Sequence, residues 1–147
     1  WKGIVSEDGA ESVEPYVEFQ QGLKALRSKG VMLALLSKND PPSGGASPIE
    51  KVFARDDVPL DLSDFAFVGV NWEPKAGNLL AAAKALNVGS DSFVFVDDNM
   101  HERAQMKAHL PQVMTVDLTE EIISAMMEGF ADEVIGRIAC EFQGRTA

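Results

Sequence analysis

Three kinds of polar group stand where apolar runs of this sequence stop. Val31-Met32-Leu33-Ala34-Leu35-Leu36 gives way to Ser37-Lys38-Asn39-Asp40. Phe65-Ala66-Phe67-Val68-Gly69-Val70 gives way to Asn71-Trp72-Glu73-Pro74 and then Lys75, and Phe93-Val94-Phe95-Val96 runs directly into Asp97-Asp98-Asn99. A hydroxyl with neighbouring backbone N–H groups can hold phosphoryl oxygens. A lysine adds a point charge to the same group, and paired carboxylates hold the Mg²⁺ that bridges to it. Taken singly, each signal is weak: a serine or an aspartate after a strand often caps the next helix, and a lysine that opens a helix usually lies in solvent. Two carboxylates at one buried edge repel each other, however, and that favours a cation beside them. Together the three groups are equipment for phosphoryl transfer, without a nucleophile.

These groups converge only if the elements behind them bring the strand ends together. Ser6-Glu7-Asp8-Gly9 reads as the turn of a small hairpin or flap within residues 1–12. Pro15 suits the first turn of a helix with Tyr16, Phe19, Leu23 and Leu26 on its apolar face, and Gly30 stops it. The spacing predicts strands over 31–36, 65–70 and 93–96, buried on both faces because they are apolar without alternation. Ser47-Pro48-Ile49-Glu50 has capping-box spacing and predicts a short helix to Phe53. An irregular acidic connection follows over 56–64. A helix over 75–86 should bury Leu79, Leu80, Ala83 and Leu86, and another is expected over 101–109 before a weak strand at 113–116. An amphipathic helix opens near Thr119, with Ile122, Ile123, Met126, Phe130, Val134 and Ile138 on one side. The expected organisation is a core over 1–118 and a C-terminal helix over 119–147 packed on it or on a neighbour. Strands alternating with helices imply a mostly parallel sheet covered on both faces. Right-handed crossovers then put the strand carboxyl ends at one edge, where a ligand crevice forms.

Composition removes several classes of function. The 147 residues make one ordinary domain, and 13 basic against 23 acidic side chains leave a net charge of −10. A polyanion is repelled overall and no basic cluster offsets this, so nucleic-acid binding is not expected. No apolar run approaches the roughly 20 residues of a membrane span. The single cysteine, Cys140, excludes an internal disulfide and fits a reducing cytoplasm. His101 and His109 lack the spacing of a zinc pair.

In order along the chain, SKND (Ser37 to Asp40), NWEPK (Asn71 to Lys75) and FVFVDDN (Phe93 to Asn99) resemble the second, third and fourth motifs of the haloacid dehalogenase (HAD) superfamily. Trp1-Lys2-Gly3-Ile4-Val5, Glu7-Asp8-Gly9 and Glu102-Arg103 extend the resemblance to the FkbH-like branch, HAD phosphatase subfamily IIIC, over residues 1–117. The resemblance implies a HAD-like Rossmannoid three-layer sandwich with a minimal cap. It implies that Ser37 and the amide of Lys38 hold a phosphoryl group and that Lys75 neutralises charge shared with the nucleophile. Asp97 would ligate Mg²⁺, directly or through water, with Asp98 as second ligand or orienting partner, and Asn39 and Asp40 would touch substrate. Trp72 and Glu73 are read as scaffold, and residues 1–9 as the flap over the site.

The family's DxDxT nucleophile motif would stand immediately before Trp1 and is not in this sequence. Its strand belongs between the one ending at Ser37 and the one ending at Asp97, so the expectation is that a segment of a longer protein, or another chain, fills that gap. The first functional expectation is therefore a Mg²⁺-dependent phosphotransferase or phosphatase. In the FkbH-like kind it would dephosphorylate 1,3-bisphosphoglycerate and load a glyceryl unit onto an acyl carrier protein in polyketide biosynthesis. An enzyme thiol for that loading could come only from Cys140, whose apolar helix suits a plain buried cysteine better. The alternative is a non-catalytic HAD-like module that binds phosphate or docks a carrier. A phospho-accepting receiver domain is rejected by motif order, because there the acidic pair comes first and the lysine last.

Overall fold

The computed structural model describes residues 14–119. Along them run α1 (Glu14–Ser28), β1 (Ala34–Lys38), α2 (Pro48–Phe53), β2 (Phe67–Asn71), α3 (Lys75–Leu86), β3 (Val94–Val96), α4 (Met100–His109) and β4 (Met114–Val116). The flap expected within residues 1–12 lies outside the described residues. So does the helix expected beyond Thr119, with Met126 and Cys140.

The helices form where their end signals stand. Gly30 follows α1 at a φ of 96°, a conformation that costs glycine little and closes the turn into β1. Ser47 and Glu50 make the full capping box of α2, with Pro48 at its first position. Asn99 caps α4 by accepting from the amides of His101 at 2.9 Å and Glu102 at 3.2 Å. The span of α3 is the one its sequence predicts, and it ends at Asn87 in the left-handed region. Leu80 departs from expectation: it is 48% exposed, while Leu79, Ala82 and Ala83 are buried. The inner face of α3 is narrower than its composition implied.

Both β1 and β2 begin two to three residues later than the apolar runs suggested, and both run on into the polar residues. Ser37 and Lys38 are the last residues of β1, and Asn71 is the last of β2. Apolar content marks burial, whereas strand limits are set by pairing. Ala34 lies opposite Phe67 and Lys38 opposite Asn71, in parallel register. β3 pairs with β4 in the same sense, Val94 opposite Met114 and Val96 opposite Val116. The 56–64 connection contains one short helical turn, Leu62–Asp64, capped by Asp61 and Asp64.

Three layers result, with the strands in the middle. Leu33 and Leu35 join Ile49 and Phe53 of α2 in one apolar cluster that also holds Val58, Leu60, Phe65 and Val70. Val94 and Val96 pack with Phe19 and Leu26 of α1. On the opposite face, Leu36 and Phe95 meet Leu79 of α3 and Met106 of α4. Each strand thus serves both layers, as unalternated apolar strands must. Gly69 lets α3 lie close to β2: a Cβ there would stand 2.9 Å from the Phe67 ring and 3.3 Å from Asn78 Cβ.

Among the described residues the middle layer is two parallel pairs, β1–β2 and β3–β4, rather than one continuous sheet. Between them lies an apolar cavity of about 310 Å³, lined by residues 33–36 of the β1 side and 93–96 of the β3 side together with Leu26 and Leu79. The opening falls in the place that the resemblance reserves for a further strand.

Candidate functional site

The carboxyl ends of β1, β2 and β3 collect the polar residues singled out in the sequence. Lys75 opens α3 and Asp97 follows β3, and the Lys75 ammonium donates to Asp97 Oδ2 at 2.7 Å. The two side chains are 4% and 1% exposed. A buried cation at a helix N-terminus opposes the helix dipole, and α3 has no acidic residue in its first turn. Local propensity argues against this lysine, so a group that needs it there is the better explanation. Its ammonium lies 6.0 Å from the centre of the Phe95 ring, which adds a weaker attraction.

Asp97 is held from both oxygens. While Oδ2 accepts from Lys75, Oδ1 accepts from the amide of Asn99 at 2.9 Å. Burial, the largest single influence, favours the neutral acid. The hydrogen bond and charge of Lys75, with the Asn99 amide, outweigh it and hold the carboxyl below its usual 3.8. Asp97 is thus a carboxylate at neutral pH. Asp98, by contrast, faces solvent.

Ser37 is 3% exposed at the end of β1. The chain beyond it is tied to the neighbouring strand end, because the Asn39 amide donates to the Asn71 carbonyl at 3.2 Å. Asn39 Oδ1 in turn accepts from the Asp40 amide at 2.8 Å. The Lys38 side chain extends to Glu102 of α4, 3.3 Å from Nζ to Oε1, which leaves the backbone of Lys38 as its contribution on the strand side.

Trp72 is 66% exposed, and its indole N–H donates to Asp40 Oδ1 at 3.0 Å. It ties the loop after β2 to the residues after β1 from the surface, and Glu73 beside it is exposed as well. Three residues from it, Lys75 lies within about 11 Å of backbone reach.

Two pairs that hold the site together were not legible in the sequence. Asn71 and Asn78 exchange side-chain amide hydrogen bonds at 3.1 and 2.8 Å, fastening the end of β2 to α3. An asparagine amid the apolar residues of a helix, where its propensity is poor, was the available signal. Arg103 Nη1 donates to the Asp97 carbonyl at 2.9 Å and to Asp117 Oδ1 at 3.0 Å. The other acidic pairs are engaged elsewhere. Asp57 binds Arg55, Asp64 lies 3.6 Å from Arg27, and Asp61 caps its own turn.

The donor set narrows what cation this edge could hold. Among the described residues, no three His, Cys, Asp or Glu side chains gather as a metal group. An all-protein cage for zinc or calcium is therefore not formed by them. One buried and one exposed carboxylate, side by side, fit Mg²⁺, which is bound through one or two carboxylates and completes its shell with water and phosphate oxygens. Among the described residues, no helix is long and apolar enough to cross a membrane.

No family model matches the chain, and no curated protein does. Among solved structures, the chain is similar to the N-terminal part of the protein BF1531 from Bacteroides fragilis, which contains a phosphatase domain complexed with Mg. The two are 33% identical with a TM-score of 0.67, over 81% of this chain and 32% of that one. The chain thus spans about a third of the length of that structure. The likeness supports the HAD superfamily, and the three-layer α/β arrangement is a HAD-like Rossmannoid fold.

Proposed function

We propose that this domain is the core of a Mg²⁺-dependent HAD phosphatase or phosphotransferase acting on a phosphorylated small molecule. The observation that carries the reading is the buried Lys75–Asp97 contact at 2.7 Å, with Ser37 buried at the end of β1. The Mg-complexed phosphatase domain of the similar structure supports it. In this reading Ser37 and the Lys38 amide hydrogen-bond the phosphoryl oxygens, and Lys75 offsets the charge that builds on the transferring group. Asp97, with Asp98, holds Mg²⁺, which when bound neutralises phosphate charge. Asn39 and Asp40 line the substrate side. An aspartate nucleophile is required in addition, and its place is a strand seated between β1 and β3.

The finer reading is the FkbH-like one: phosphate release from 1,3-bisphosphoglycerate and loading of a glyceryl unit onto an acyl carrier protein in the cytoplasm. It rests on the sequence resemblance. Likewise, a core over 1–118 with a C-terminal helix over 119–147 is the proposed domain division. The alternative is a non-catalytic phosphate-binding or carrier-docking module, and a full-length protein without the DxDxT motif would favour it.

In the protein that carries the nucleophile strand, Lys75→Ala and Asp97→Asn should each lower Mg²⁺-dependent phosphate release by about a hundredfold or more. Undiminished turnover in either variant rejects the assignment. Phosphate binding with no turnover in the unsubstituted protein selects the non-catalytic module.

A further inference from the structure

Among the described residues, no backbone pairing joins the β1 side of the site to the β3 side, and side chains make the contact between them. Two consecutive residues in the first turn of α4 reach both. Glu102 lies 3.3 Å from Lys38 at the end of β1. Arg103 holds the carbonyl of Asp97 and the carboxylate of Asp117, beyond β4. The Glu102 and Arg103 side chains are only 13% and 14% exposed. Their helix is itself pinned by the Asn99 cap, in the same loop as Asp97.

Each contact meets a local need. The strand β3 has three residues, and the Asp97 amide donates to the Val116 carbonyl at 3.3 Å just beyond it. Just past that point the Arg103 guanidinium supplies a charged donor to the Asp97 carbonyl. Glu102 stands in the first turn of α4, where the helix dipole favours its negative charge. From there it fixes Lys38, next to Ser37.

We propose that Glu102 and Arg103 are positioning residues with separate duties. Glu102 sets the Ser37–Lys38 cradle against the acidic loop, and Arg103 sets the direction in which Asp97 and Asp98 present their carboxylates. The proposal rests on the phosphoryl-site reading for its ligands, but its geometry stands independently.

The test measures inorganic phosphate and Mg²⁺ separately by calorimetry, with amide hydrogen exchange on the same samples. Glu102→Gln should weaken phosphate about fivefold, the scale of one partly exposed ion pair, and leave Mg²⁺ affinity unchanged. Arg103→Ala should weaken Mg²⁺ about tenfold and leave phosphate affinity measured without Mg²⁺ unchanged, with Arg103→Lys recovering part of the loss. Equal weakening of both ions in either variant, or no weakening, overturns the division of duties. If the unsubstituted protein binds neither ion, the phosphoryl-site reading fails and hydrogen exchange decides the positioning claim. Faster exchange at Lys38 and Asn39 in Glu102→Gln, and at Asp97 and Asn99 in Arg103→Ala, then supports it. The same exchange pattern in both variants overturns it.

Discussion

The half built on β1 and β2 and the half built on β3 and β4 are stabilised by different physics. Around β1 and β2, eight buried apolar residues form one cluster, and Phe53 meets Phe65 edge to face with ring centres 5.5 Å apart. Each such side chain contributes about 1.5–3 kcal/mol by burial. The other half has shorter strands, and its apolar residues are divided between the α1 layer and the α3–α4 layer. Its loop geometry depends on charged contacts: Lys75 to Asp97, and Arg103 to Asp97 and Asp117. The apolar half presents the hydroxyl side of the site, and the charged half presents the acids. Chemistry that needs a rigid cradle and an ionised carboxylate is thus divided between a packed support and an electrostatic one.

The comparison can be broken most directly at Lys75. Lys75→Met removes the buried ammonium beside Asp97 and should cost about 3–5 kcal/mol of stability, read by urea denaturation. A cost near that of an exposed ion pair would show that the charged half does not depend on this contact. Gly69→Ala attacks the apolar half by pushing α3 away from β2, and should cost about 1–3 kcal/mol. Its loss should appear as faster amide exchange in β2 while β3 stays protected. The gentlest probe is acid. Because the Asp97 carboxyl is held below its usual 3.8, its contribution is full above that value and fades as pH falls through the lowered one. Exchange protection in β3 and β4 should therefore decline below about pH 4, ahead of that in β1 and β2. Equal acid sensitivity of both halves would dissolve the contrast.

Much of this was legible in the sequence. Capping boxes and glycine stops are local chemistry, so α1 ends before Gly30 and α2 starts where Ser47, Pro48 and Glu50 put it. Polar residues that follow apolar strands mark the ligand edge of an α/β fold, so the placement of Ser37, Lys75 and Asp97 at the strand ends was legible before any coordinates. Strand starts were not legible, because Val31 and Phe65 are apolar for packing and not for pairing. Nor were the exposure of Leu80, the role of Asn78 or the carbonyl that Arg103 reaches. Whether a leucine lies inside a helix, or which carbonyl an arginine reaches, depends on neighbours distant in the chain, and no spacing rule encodes those.

The two strand pairs have a practical consequence for handling the protein. Their facing edges carry backbone donors and acceptors that a strand seated between them would satisfy. A protein that includes such a strand is therefore the one to concentrate for kinetic measurement, with light scattering as the check on association.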